Sequence, residues 1–217
     1  MGKYISNFAT TAEFEAAESS LATPHVSLTR EDMTVHYIPL PPTPSYESVD
    51  LGLPSGTKWA KYNVGATSET EYGNYYQYGK GAAQYAATSG DSNYSGTENP
   101  LATSADTAAQ EWGGSWHMPT MEQMEELTAN TTYEWTTING VNGGKFTAKN
   151  GSGNYIFIPA AGYYGNGSPD EVGSDGYVWS STHGIEDACN LGFGNGYKFV
   201  TFVPLEFGIL VRPVMDA

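Results

Sequence analysis

The chain has 217 residues, with 26 glycines, 16 tyrosines, 5 tryptophans and only 15 % charged residues, a mixture that suits a loop-rich globule held by aromatic side chains and not a helical bundle or a disordered tail. Its formal net charge of −15 argues against a phosphate-backbone partner, which needs clustered Lys and Arg, so no nucleic acid is expected. A single cysteine, Cys189, excludes an intrachain disulfide and a multi-cysteine metal site, and no apolar run is long enough to imply membrane insertion.

In chain order, the start MGKYISNFATTAEFEAAESS lacks the basic stretch and apolar core of a signal peptide. TTAEFEAAESSL (10–21) predicts a helix with Phe14, Ala17 and Leu21 on one face and a capping box from Thr10 and Glu13. HVSLT and MTVHYI then alternate as short strands around Arg30, Glu31 and Asp32. Residues 1–38 form a small N-terminal unit on this reading, and a proline-rich linker covers 39–46. One helix and two strands bury little core alone. The unit is therefore expected to dock on a neighbour, either a second copy of the chain (a homo-oligomer) or a tail protein.

From residue 47 to 217 the character changes to many short strand candidates separated by Gly and Asn. SADTAAQEW (104–112) predicts one helix. PTMEQMEELTAN predicts another, with Thr120 and Gln123 at capping-box spacing and Met121, Met124 and Leu127 as its buried stripe. The strand candidates are Tyr155–Ala160, Tyr177–Ser181, Ala188–Phe193, Tyr197–Val203 and Ile209–Val214. A few helices beside irregular antiparallel strands give an α+β expectation.

Catalytic chemistry finds little support. His25, His36, His117 and His183 are scattered, none at metal-ligand spacing to another or to the cysteine, and Cys189 has no His or Asn context of a nucleophile. Asp91, Glu98, Asp106 and Asp170 are isolated acids in loops, and GNGSPDEVGSDG (165–176) lacks EF-hand spacing. The expectation is a non-enzyme with no metal and no cofactor.

Five ordered blocks carry more information: VDLGLPSGTKWAKYNVGA (49–66), WGGSWHMPTMEQMEEL (112–127), FIPAAGYY (157–164), GYVWSST (176–182) and GILVRPV (208–214). Together, over residues 47–215, they resemble the Fibrobacter succinogenes major paralogous domain of gut Bacteroidetes and their phages, a family related to the C-type lectin fold and to formylglycine-generating enzymes. The resemblance implies a C-type lectin-like α+β domain, preceded here by a small helix-plus-hairpin unit. It departs from the enzymes, which use a cysteine pair where this chain has one cysteine, and from sugar-binding lectins, whose calcium motifs are missing.

Members of this fold serve as variable proteins of diversity-generating retroelements, in which adenine positions between a WSS-type and a VRPV-type block are rewritten. That interval is HGIEDACNLGFGNGYKFVTFVPLEFGIL (183–210). The resemblance implies a ligand-binding surface formed by His183, Gly184, Ile185, Asp187, Asn190, Gly192, Tyr197, Phe199, Thr201, Phe202, Val203, Leu205, Phe207 and Leu210. Glu186, Lys198 and Glu206 cannot arise from an asparagine codon through its adenines and are expected to be fixed. Within the interval, KFVTFVPLEF matches neither the helical nor the strand period, and Pro204 breaks any ladder. Its apolar side chains are expected to face solvent, with the side chains of Tyr177–Val214 on one face, while Ile209 and Val211 alternate with Leu210 and Arg212 in one-sided burial.

The partner expected is a protein or glycan receptor on a host-cell surface, and the setting a phage virion tail, or a bacterial cell surface if a signal peptide has been removed. A fixed structural or adhesive module of a bacterial surface is the alternative.

Overall fold

The structure is a computed structural model that describes residues 28–29, 34–35, 46–81 and 94–217. The chain divides into two units, Met1–Ser45 and Tyr46–Ala217. In the first, β1 (Leu28–Thr29) pairs antiparallel with β2 (Thr34–Val35). The helix expected over 10–21 lies outside the described residues.

The strongest hairpin signal in the sequence is Asn139-Gly140, and the structure uses it. Both residues have positive φ, 48° and 83°, as a tight two-residue turn requires. They join β6 (Thr131–Ile138) to β7 (Val141–Ala148), paired in register from Thr131↔Ala148 to Ile138↔Val141. β8 (Tyr155–Pro159) completes this three-stranded sheet. The sequence reading passed over the hairpin because its strands are built of Thr, Gly, Asn and Lys, with few large apolar side chains to set a period.

This is one reason the α+β, C-type lectin-like expectation is corrected: the protein is mostly β. Of the described residues 42 % are strand and 10 % helix. The two helices among them are α1 (Thr107–Trp112) and α2 (Met121–Asn130). Helix α1 is capped by Asp106, whose Oδ1 accepts the Ala109 N–H at 2.9 Å. Helix α2 carries the complete capping box, with the Gln123 N–H donating to Thr120 Oγ1 and the Thr120 N–H to Gln123 Oε1. Further small antiparallel sheets surround them. β3 (Ser48–Asp50) and β4 (Lys58–Ala60) join the C-terminal β15 (Val214–Met215). β5 (Tyr76–Gln77), β9 (Tyr163–Gly165), β10 (Ser168–Asp170) and β14 (Gly208–Ile209) make a second group in the order β10-β9-β14-β5.

The sheet that organises the unit is β11 (Asp175–His183), β12 (Asp187–Gly194) and β13 (Tyr197–Pro204), in that order. It partitions two hydrophobic clusters. Trp179 and Ala188 belong to one, with Tyr76, Trp112, Trp116 and Ile209. Val178, Leu191 and Phe193 belong to the other, with Trp59, Met124, Leu127 and Phe146. The central strand β12 is therefore buried on both sides from Ala188 to Gly194. Its neighbour β13 is an edge strand.

The block VRPV closes the unit. Val64 N–H donates to Val211 O, and Ala60 N–H donates to Pro213 O, which brings the C-terminal segment against residues 60–64. Arg212 is fully buried. Its Nε donates to Asn63 Oδ1 at 2.7 Å, Nη1 to Ala60 O at 3.0 Å and Nη2 to Phe157 O at 2.7 Å. Burial pushes the guanidinium down to about 9, with attraction from Glu69 opposing the shift, while its direct partners are amide and carbonyl oxygens. The expected one-sided burial of Ile209–Arg212 is corrected: all four are core. Arg212→Met would strand three buried oxygens, two of them on the backbone. It is expected to lower stability by about 3–5 kcal/mol in a urea titration, and a variant within about 1 kcal/mol of the parent would contradict the role assigned to these bonds.

Candidate functional site

KFVTFVP lies in β13, as the strand candidate Tyr197–Val203 anticipated, although its own composition shows no strand period. β13 pairs with β12 along its whole length, from Tyr197↔Gly194 to Pro204↔Asp187. Pro204 is tolerated because it ends an edge strand, where a missing N–H donor costs no ladder bond. The alternation sends Val203 toward the first cluster and Val200 toward the second, so apolar residues occupy both faces and no single period emerges. By the same parity Tyr197, Phe199 and Thr201 lie on one face, and Lys198 and Phe202 on the other. The expectation that Tyr177–Val214 share one face is therefore corrected.

The face bearing Tyr197 and Phe199 is built on glycines. Gly192 stands opposite Phe199 and Gly194 opposite Tyr197, and the two rings lie over them. A Cβ on Gly192 would come within 2.4 Å of the Phe199 ring, and one on Gly194 within 2.4 Å of the Tyr197 ring. The rings stack on each other with centroids 5.9 Å apart and planes 7° off parallel. A third pair, Gly176 with Phe193, repeats the device inside the core. Bare glycine backbone in a sheet is thus covered by a cross-strand aromatic ring.

Beside this platform, Tyr163, Tyr177, Val203, Phe207 and Ile209 line a cleft of about 190 Å³. Tyr163 packs on Phe207 at 4.8 Å between ring centroids and on Tyr177 at 5.9 Å. Carboxylates bond the phenols of two of its walls and of Tyr197 beside it. Tyr177 Oη donates to Glu171 Oε2 at 2.6 Å, Tyr163 Oη to Asp170 Oδ2 at 3.4 Å, and Tyr197 Oη to Asp175 Oδ1. Burial first, then the bond to Glu171, raises the Tyr177 phenol above its ordinary value. For Tyr197 the bond to Asp175 is the leading cause, and the phenol is pushed up to about 12. All these hydroxyls are committed donors at neutral pH.

The structure divides the sequence-predicted residues into exposed, half-buried and buried sets. Ile185 is 92 % exposed at the β11–β12 turn, and Tyr197, Phe199 and Phe202 are 45 %, 40 % and 42 % exposed. Thr201 is also exposed, whereas His183, Gly184, Asp187, Val203 and Phe207 are half-buried. His183 is held by its ring contacts to the carbonyls of Gly184 and Glu98, and Gly184 is fixed in the turn by its N–H bond to Asp187 O.

Asn190, Gly192, Leu205 and Leu210 are buried, which corrects their assignment as contact residues. Asn190 donates to Thr201 O within the sheet, Gly192 seats Phe199, and Leu205 and Leu210 are core. Within KFVTFVPLEF, whose apolar side chains were expected to face solvent, Leu205 is fully enclosed. Sequence reasoning also missed Tyr163, Asp170, Glu171 and Asp175, which precede the interval. The signal for the platform was present as Gly-Phe-Gly-Asn-Gly-Tyr-Lys-Phe, where glycines and aromatics fall opposite each other across a turn.

Elsewhere the chemistry is quiet. Burial pushes the Cys189 thiol up to about 12, which removes the thiolate a nucleophile needs. Asp106 spends both oxygens on the N–H groups of Ala109 and Met118. Among the described residues no group of three His, Cys, Asp or Glu could hold a metal ion, and no helix is long and apolar enough to cross a membrane. No protein-family model matches the chain, and no curated protein or solved structure matches it either.

The glycine–aromatic pairs differ in how far they can yield. Phe193 is enclosed in the core, so Gly176→Ala drives a methyl into a ring with nowhere to go and is expected to cost about 1–3 kcal/mol. Phe199 is partly solvent-exposed and can swing out, so Gly192→Ala is expected to cost less. Equal losses in paired thermal melts would contradict the distinction between core ring and surface ring.

Proposed function

We propose that the chain is a receptor-binding protein that presents a diversified surface, serving as a component of a phage tail or another surface-attachment structure. The contact region is the Ile185 turn, the β13 edge and the cleft beside it. A single observation carries this reading. Of the five large hydrophobic residues exposed among the described residues, Ile185, Tyr197, Phe199 and Phe202 all fall within the interval 183–210. The fifth, Val172, follows Glu171, whose carboxylate bonds the cleft residue Tyr177. Exposed aromatics concentrated in one region are more than burial requires and mark contact surfaces. The framework beneath them is closed by buried side chains that such changes leave untouched. The resemblance of the flanking blocks supports diversification of the same interval, and residues 1–38 are assigned the attachment to a second copy or a tail protein.

The test is Phe199→Ser/Phe202→Ser, two changes on opposite faces of one edge strand. Each is expected to cost less than about 1 kcal/mol, against about 3–5 kcal/mol for a buried Phe, so the melt stays near that of the parent. Adsorption of the purified protein to a panel of candidate host cells is expected to fall sharply. Loss of the fold, or unchanged adsorption to every strain that the parent binds, would contradict the display surface. A near-repeat of codons 183–210 beside a reverse transcriptase gene is the expected genomic arrangement. Without it, a fixed adhesive surface accounts for the same exposed residues.

A further inference from the structure

The aromatic cleft beside β13 has a chemical character that narrows what can enter it. Its walls are the rings of Tyr163, Tyr177 and Phe207 with Val203 and Ile209, so they offer π faces and aliphatic surface. Its surroundings are acidic. Asp170, Glu171 and Asp175 are joined to the phenols of Tyr163, Tyr177 and Tyr197. No ion pair neutralises these carboxylates among the described residues, where the two ion pairs are Lys61–Glu47 and His117–Asp216. Lys198, the lysine of β13, projects to the opposite face of that strand and lies 5.5 Å from the Tyr133 ring centroid.

Donor and acceptor bookkeeping sharpens this. An ionised carboxylate only accepts hydrogen bonds. The three phenol hydroxyls that could donate to a ligand already point into those carboxylates. The cleft therefore presents negative charge, acceptors and aromatic faces, with no free side-chain donor among these groups. A neutral sugar can also donate its hydroxyls to these carboxylates, but it gains nothing from their charge. A cation needs only what is here, because its charge is attracted to a ring face within about 6 Å and to a carboxylate. The size agrees: about 190 Å³ is below the roughly 300–1,000 Å³ of small-molecule sites and suits the end of one side chain.

The acidic turn is also held in place. Glu171 has φ 56°, a left-handed conformation that is uncommon outside glycine and asparagine. Its carbonyl accepts the N–H groups of Ser174 and Asp175, and Gly162 leaves room for the turn, since a Cβ there would fall 1.8 Å from Asp170 O. The turn thus fixes Glu171 and Asp175 against the phenols of Tyr177 and Tyr197.

We propose that this cleft recognises a basic side chain, Lys or Arg, presented by a protein receptor. The proposal rests on the receptor-binding reading above and specifies the chemistry of one contact. The whole chain, at −15, adds long-range attraction for such a partner that weakens with salt.

The experiment titrates the full chain with N-acetyl-lysine amide, N-acetyl-arginine amide, the neutral N-acetyl-glutamine amide and a neutral monosaccharide, following the methyl resonances of Val203 and Ile209. Saturable shifts with the two cationic probes are expected, absent with the neutral ones and weakened by added salt. Glu171→Gln keeps an oxygen acceptor for Tyr177 and removes the charge. It is expected to weaken the cationic probes by about tenfold with an unchanged melt. Saturation by the monosaccharide alone would assign the cleft to glycans and overturn the proposal. Equal response to the neutral amide, no saturable response to any probe, or full affinity in Glu171→Gln would overturn it too. If adsorption to cells still depends on Phe199 and Phe202 in that case, the display surface stands and only the cationic contact falls. If that dependence is also missing, both fall.

Discussion

One buried cation holds the framework together. Arg212 reaches the domain from its C-terminal end and satisfies Asn63, Ala60 and Phe157, residues from three separate stretches of chain. A guanidinium suits this because its planar fork donates in several fixed directions at once, which a lysine ammonium cannot reproduce. Its charge is held by oxygens that carry no formal charge, so the bonds must all be in place for burial to be tolerable. Asn63 is itself tied, donating from Nδ2 to Tyr72 O at 2.8 Å. The flanking main-chain bonds Val64–Val211 and Ala60–Pro213 then lock the segment that follows the interval 183–210 onto the start of the domain.

With the exit of the interval fixed there and its entrance fixed at Trp179, whose indole N–H donates to Tyr76 O at 3.0 Å, the interval is anchored at both ends. Between the anchors, β12 is packed on both faces and β13 on part of each. Stability resides in Ala188–Gly194, and freedom resides in the turn at Ile185 and along the edge at Tyr197, Phe199, Thr201 and Phe202. The glycines opposite Tyr197 and Phe199 link these two halves, since they let large rings lie close to the sheet without displacing the core. A surface rich in aromatic side chains is thereby carried on a rigid support, which limits the ordering cost of binding.

Much of the helical structure was legible in the sequence, because capping is local. Thr120 and Gln123 announced α2 with the correct first residue. Asp106 caps α1, which starts three residues later than the expected 104. Strands β8, β11, β12 and β13 were legible within two residues at each end, whereas the β6–β7 hairpin was missed despite its Asn-Gly turn, and the balance of the fold was misjudged with it. The segment Ile209–Val214 looked like one strand. It is instead two short pairings separated by residues turned into the core, a distinction that depends on the tertiary contacts of Arg212.

The site was legible only in part, and the reason is physical. Exposure of an apolar residue on an edge strand depends on what covers the neighbouring strand, and no period in the residue's own segment reports that. Phe199 and Leu205 are equally apolar in the sequence, yet one caps a glycine at the surface and the other fills the first cluster. The acids of 170–175 were legible only as possible ion ligands and were set aside for lack of EF-hand spacing, because their bonds to Tyr163, Tyr177 and Tyr197 arise from tertiary contacts. The central claim is that the interval 183–210 is half framework and half contact surface. Saturation mutagenesis of these residues, read out by protease resistance of the folded protein, tests it most directly. Broad tolerance at Ile185, Tyr197, Phe199, Thr201 and Phe202, with intolerance at Ala188, Leu191, Phe193, Leu205 and Leu210, is the predicted result; uniform tolerance across the interval, or intolerance at the five exposed positions, would contradict it.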